Sequence, residues 1–214
     1  MTRTTFSTRA AAVSGAALAL TLLLAGCGGD DSTDGAGSGA ESTASDSPSP
    51  SGTPAAGPNN EADVSFATDM VPHHSQAVEM ADRLLAKDDI DPDVTQLAEE
   101  IKKAQGPEIE QMRGWLAGWG APVPAAEGGM EGMGGGESMP GMMSGAEMTE
   151  LEDASGAEAE KLFLEQMITH HKGAVEMAKS ELRDGENRDA TQLAQKIIAT
   201  QESEITSMTE LMGS

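Results

Sequence analysis

The stretch MVPHHSQAVEMA at residues 70–81 returns 97 residues later as MITHHKGAVEMA at 167–178. The match extends beyond this core. FATDMVPHHSQAVEMADRLL (66–85) and FLEQMITHHKGAVEMAKSEL (163–182) agree at 10 of 20 positions, and TQLAEEIKKAQGPEIEQM (95–112) and TQLAQKIIATQESEITSM (191–208) agree at 9 of 18. A unit present twice, each copy holding two segments of 3.6-residue periodicity, is a duplicated αα-hairpin. One hairpin alone would leave an apolar face in water. The copies are therefore expected to pack into an all-α, four-helix bundle with a pseudo-twofold axis and one long crossover. The expected helices cover about 61–87, 92–118, 149–184 and 188–212, with Asp91 and Pro92 as cap and first turn and Gly185 as a stop. Repeat one is then 61–118, a Gly- and Met-rich linker 119–148, and repeat two 149–214.

The N-terminus carries a different message. Arg3 and Arg9 precede a short apolar run ending in small residues, the pattern of a secretory signal over residues 1–26. The run ends in LAGC, similar to a bacterial lipobox, so the single cysteine, Cys27, is expected to be lipidated. Acyl chains contribute about 0.8 kcal/mol per buried CH₂, enough for two or three of them to hold the chain on a membrane. The expected location is the extracytoplasmic face of the cell membrane. Residues 27–60, rich in Gly, Ser, Ala, Asp, Thr and Pro, read as a tether with too little apolar surface to order itself, followed by the helical domain 61–214. With Cys27 acylated no thiol remains, which excludes disulfides and thiolate metal sites. The net charge of −23 disfavours nucleic acid and anionic lipid and favours cations, but acidity alone identifies no site.

All four histidines of the chain lie in the two copies of the core motif. On a helical wheel Phe66, Met70, His73, Ala77, Met80 and Leu84 share one apolar stripe with His74 at its edge, and Phe163, Met167, His170, His171, Ala174 and Met177 repeat it. Glu79 and Glu176 fall on the outer side, as do Pro72 and Pro107. Glu108 falls among Leu97, Ile101, Gln105 and Met112, and Glu204 among Leu193, Ile197, Gln201 and Met208. A carboxylate in an apolar stripe needs a partner or loses its charge. Two carboxylates and two histidine pairs facing one core point to mutual hydrogen bonding, to a bound metal, or to both. The framework methionines serve equally as core filler and as soft ligands. The linker segment GGMEGMGGGESMPGMMSGAEM, with Met130, Met133, Met139, Met142, Met143 and Met148, offers no core to fill, so its thioethers read as a flexible capture set for Cu(I) or Ag(I).

The motif of a Met, a His pair and Ala-Val-Glu-Met-Ala, followed by Gln-x-x-Glu-Ile-x-x-Met, resembles the bacterial family called domain of unknown function 305, and both copies carry it. The resemblance covers about 61–118 and 149–212. It implies a ferritin-like four-helix fold and an extracytoplasmic setting, and some members are associated with copper binding and resistance through Met and His. It points to Met70, His73, His74 and Met80, and to Met167, His170, His171 and Met177; Glu108, Met112, Glu204 and Met208, placed by the wheels and matching the second motif, are candidates for further ligands or supports.

The expected function is that of a copper-binding lipoprotein, not an enzyme, that sequesters or hands on Cu(I), or Cu(II), with silver as a surrogate. Its partners would be the metal ion, the membrane and a copper-exporting or copper-receiving protein. A di-metal oxidase of the ferritin type is disfavoured, because the chain has no Glu-x-x-His; no nucleophile constellation is visible either, and Tyr is absent. The remaining alternative is an interaction module with a pH-sensitive histidine core, loosened by protonation near pH 6.

Overall fold

The computed structural model describes residues 57–125 and 139–213. The signal, Cys27, most of the tether, Met130 and Met133 lie outside the described residues. Five helices follow in order: α1 (Glu61–Leu85), α2 (Pro92–Trp119), α3 (Gly145–Asp153), α4 (Gly156–Asp184) and α5 (Arg188–Met212). Helices α1 and α2 form one hairpin, α4 and α5 the other, and the two hairpins meet mainly through α1 and α4. No described helix is long and apolar enough to cross a membrane.

The four long helices stand where the repeat places them, and their ends follow local chemistry. Asp91 Oδ1 accepts from the Asp93 amide at 2.8 Å, with Pro92 at the first helical position. Pro72 and Pro107 lie within continuous helices, Pro72 half-buried and Pro107 exposed, so each removes one backbone hydrogen bond without ending its helix. The expected single helix over 149–184 is two. The apolar period runs through both pieces, which is why periodicity alone merges them. The chain is extended at Ala154 and Ser155, and Gly156 takes a φ of 53° that favours glycine. The tetrapeptide SGAE opens both α3 (from Ser144) and α4 (from Ser155) and was the available signal. At Ser144 it closes a full capping box with Glu147.

Helix α3 has no basic residue in its last turn. Lys87, just beyond α1, supplies the missing charge: its ammonium donates to the carbonyls of Glu152 and Ala154, both at 2.7 Å. Arg83 donates to the Met148 carbonyl at 3.0 Å and pairs with Glu79 and Glu152. Glu79 is thus ion-paired and Glu176 exposed, as their outward placement on the wheel requires.

The core has two halves. One gathers Met80, Leu84, Leu97, Ile101, Phe163, Met167 and Met208, together with Met143, Met148 and Leu151 from the crossover. The other gathers Phe66, Met70, Ile109, Met112, Trp115, Leu193 and Ile197, with Met177 at its edge. Met80 therefore groups with Met167, and Met70 with Met177, as antiparallel packing of α1 against α4 demands. Two linker methionines expected to be free capture ligands are instead buried, Met143 at 4% and Met148 at 7% exposure. Helix α3 and the turn before it do have a core to pack, because they lie on α1 and α4.

The start of α1 is fastened to the α4–α5 turn by one buried carboxylate. Asp63 accepts from the Asn60 amide at 2.7 Å, closing a capping box, and from the Asn187 amide at 2.9 Å. Asn187 Nδ2 donates to the Pro58 carbonyl and Trp119 Nε1 to that of Gly57. The last residues of the expected tether are thus held against the bundle. Burial acts against ionisation of Asp63, but its backbone donors outweigh it and hold the carboxyl below its ordinary value. Its neighbour Glu181, 1% exposed, is pushed up to about 8 by burial and by the hydrogen bond and charge of Asp63. Glu181 therefore keeps its proton and donates it to Asp63. Gly185 makes room for this pair, since a Cβ there would lie 2.3 Å from Glu181 Oε1.

The folded Glu181 carboxyl holds its proton to about pH 8, the unfolded one only to about 4.5, so the unfolded state binds fewer protons and stability falls as pH rises across that window. Glu181→Gln keeps a donor to Asp63 without a titrating proton. Urea denaturation should show the variant more stable than the parent at pH 8 by roughly 2 kcal/mol, a value discounted for solvent screening, and equal to it near pH 4.5.

Candidate metal centre

The two histidine pairs meet between α1 and α4. All four rings have 0% exposure, including His74, which the wheel placed at the stripe's edge. His73 and His170, equivalent in the repeat, pack ring against ring with centroids 3.8 Å apart and planes tilted by 37°. They sit near the pseudo-twofold axis. Burial, followed by the neighbouring imidazole His74, pushes His73 down to about 3. Burial and the adjoining rings hold His170 well below the ordinary histidine value. Both are neutral at physiological pH, and neither takes a proton near pH 6, the event a pH-sensitive core would require of them.

The outer members of the pairs each find a carboxylate. His74 Nε2 donates to Glu108 Oε2 at 2.9 Å, and His171 Nε2 donates to Glu204 Oε2 at 2.7 Å. The mutual hydrogen bonding read from the wheels is present in both copies. The copies differ in setting. Glu108 is 6% exposed at its side chain, and Lys196 on α5 approaches its second oxygen at 3.2 Å. Burial works against its charge, but His74 and Lys196 together hold it below the ordinary range. Glu204, expected to be buried, is 14% exposed at its side chain.

The inner ring His73 donates from Nε2 to the Pro140 carbonyl at 3.0 Å. Three imidazoles thus spend their Nε2 protons on oxygen acceptors. In a neutral ring the other nitrogen then carries a lone pair. Nδ1 of His73, His74, His170 and His171 has no hydrogen-bond partner, and His170 Nε2 has none either. Unpartnered buried nitrogens are costly for a protein to keep. A histidine that gives its N–H to a carboxylate or a backbone carbonyl and leaves the other nitrogen free is the arrangement of a supported metal ligand. The residues present therefore fit a metal held by imidazole. Glu108 and Glu204 are placed as supports of His74 and His171. Among the described residues no three or more His, Asp, Glu or Cys are grouped to hold an ion by themselves. The remaining donors would have to be thioethers. Met70, Met80, Met112, Met167 and Met208 are fully buried in the core halves on either side of the rings, and Met177 is half-buried. Such a mixed set suits a soft cation.

Gln105, buried on α2, leaves both amide atoms unpartnered, and Gln201 on α5 leaves its oxygen so. The wheels missed Pro140, whose contribution is a backbone carbonyl, and Gln76, which differs between the two copies. They also missed Lys196, whose sequence neighbourhood reads as solvated surface.

Removing Glu108 would strand a fully buried imidazole N–H, whereas water can replace the more exposed Glu204. Chemical denaturation of the metal-free protein should show Glu108→Ala losing about 2 kcal/mol and Glu204→Ala less than about 1. Glu108→Gln, which retains an acceptor, should recover most of the loss.

Comparison with known proteins points to one family. The profile of the domain of unknown function DUF305 matches residues 63–212. No curated protein matches the chain at a significant level. Among solved structures, the DUF305 fragment from Deinococcus radiodurans is 32% identical, with a TM-score of 0.63, over 73% of this chain and 99% of its own. The DUF305 protein from Streptomyces coelicolor is 36% identical, with a TM-score of 0.60, over 71% of this chain and 91% of its own. CopM in its Cu(II)-bound form is 35% identical, with a TM-score of 0.59, over 70% of this chain and 94% of its own. CopM has also been solved bound to Cu(I) and to silver. By the extent of these matches the chain belongs to the DUF305 family.

Proposed function

We propose that this protein binds copper between its two hairpins, with imidazole Nδ1 of the histidine pairs and thioethers of the flanking methionines as donors. The observation that carries the reading is the set of four buried Nδ1 atoms without partners, three of them on rings whose other nitrogen is already pinned to oxygen. Support comes from the copper-bound forms of CopM, a relative of the same fold. The inner rings His73 and His170 supply the central nitrogens in this reading. Met70 and Met177 lie toward one end of the rings, Met80 and Met167 toward the other. Thioethers need no deprotonation and prefer Cu(I), while imidazole also accepts Cu(II). The protein is read as a carrier or store without catalytic chemistry of its own, anchored through lipidated Cys27 on the outer face of the membrane. The half-buried Met139 and Met142, with Met130 and Met133, would meet the ion first.

The test is an anaerobic Cu(I) titration of the chain lacking residues 1–27 against a chromogenic chelator. His73→Ala/His170→Ala should weaken binding by at least tenfold, and His74→Ala/His171→Ala should also weaken it, whereas Met139→Leu/Met142→Leu should leave the tight site in place. Copper at a hundredfold excess over Kd should raise the unfolding free energy by about 2.7 kcal/mol. Undiminished binding in both histidine variants would reject the site.

A further inference from the structure

The rings that would hold the ion have no exposed surface, so an ion reaches them only if something moves. Most of what encloses them is helix. On either side lie the core halves, built from helix interiors whose opening would break backbone ladders. Beyond His74, Glu108 is held by both His74 and Lys196. One covering piece is not helix: the turn Met139–Met143, which lies directly on His73 through the Pro140 carbonyl and gives only Met143 to the apolar core.

Two residues seat this turn, and they are the same position of the repeat. Gln76, buried on α1, grips the Met143 backbone with both amide atoms: Nε2 donates to the carbonyl at 2.9 Å, and Oε1 accepts from the amide at 2.7 Å. Its counterpart in the second copy is Gly173 on α4. A Cβ on Gly173 would lie 1.9 Å from the Pro140 oxygen and 2.8 Å from Gly141 Cα. Gly141 is itself in the left-handed region, with a φ of 79°, and would bring a Cβ to 2.7 Å from the Thr169 carbonyl and 2.9 Å from that of His170. One copy grips the turn and the other makes a notch for it. The cover is held by the burial of Met143, the two Gln76 bonds and the His73 bond, and lifting it breaks no helical backbone ladder.

We propose that Met139–Met143 is a removable cover, held over the imidazole pair by Gln76 and seated in the notch at Gly173, that lifts to admit the ion. The proposal rests on the copper-binding reading above. Gln76 and Gly173 are positioning residues; they act on the rate of entry through the cover and are not ligands.

The test uses two variants, each measured with and without metal. Gln76→Ala removes the grip. Gly173→Ala fills the notch while improving helix propensity in α4, so unseating the cover does not depend on weakening the helix. Circular dichroism checks that both keep the parent's helicity. Without metal, carbethoxylation of His73 and His170 by diethyl pyrocarbonate is followed residue by residue with tandem mass spectrometry. Reactivity should rise roughly tenfold or more in both variants, as expected when a pair of buried hydrogen bonds is lost. With metal, stopped-flow association of Ag(I), a redox-inert stand-in for Cu(I), should accelerate by a comparable factor. Lys172→Ala, an exposed change beside the notch, should alter neither rate. Unchanged histidine reactivity in both variants overturns the cover. Faster modification with unchanged silver uptake also overturns it, because the ion then enters elsewhere, and the copper reading stands. Absence of any Ag(I) or Cu(I) binding by the parent rejects the copper reading itself, and the entry role falls with it.

Discussion

Everything in this bundle answers to four imidazoles placed where water does not reach. A neutral imidazole has one proton to give and one lone pair to satisfy, and burial makes each unmet demand expensive. Glu108, Glu204 and the Pro140 carbonyl take three of the protons. The carboxylates do so at the cost of their own burial, which Lys196 eases in one copy and partial exposure in the other. The lone pairs remain unmet. The proposed ligand role requires that they stay free. The packing of α1 on α4, the register of the hairpins and the placing of the crossover all meet at this one deficit.

The repeat made much of this legible. Two copies of a two-segment unit imply hairpins that must bury their faces in each other, and the wheels put the histidines and the Glu108 and Glu204 carboxylates toward a common core. Both histidine–carboxylate pairs were within reach of that reasoning. What escaped it depended on the crossover, which has no counterpart in the repeat and so no second copy to check against. Met143 and Met148 read as unpacked thioethers because their Gly-rich neighbours conceal that α3 lies on the bundle. The break before α4 escaped because Leu151, Ala159 and Phe163 keep an uninterrupted apolar period across it. Lys196 and Lys87 act far from their sequence neighbours, and no local pattern announces a cation that completes another helix's end.

The crossover also makes the two ends of the bundle unequal. Around Met80 and Met167 the core gains Met143, Met148 and Leu151, and among the described residues the crossover adds nothing equivalent around Met70 and Met177. Sulfur is thus concentrated and enclosed at one end, while at the other Met177 keeps contact with solvent. Twofold symmetry survives in the two outer histidine–carboxylate bonds and is lost around them. Soft donors at different exposure on either side of a shared pair of rings give the two halves different electrostatic and solvation environments even where their side chains are identical.

Gln76 and Gly173 hold the same position of the repeat, yet neither can take the other's place. Copying the first repeat over the second would set a glutamine side chain where even a Cβ lies 1.9 Å from the Pro140 oxygen. Copying the second over the first would leave the Met143 backbone without its two partners. A single crossover can use one gripping residue and one notch, never two of either. The duplication therefore persists as a matched but unequal pair, and the copies can no longer be exchanged without losing the segment that lies between them.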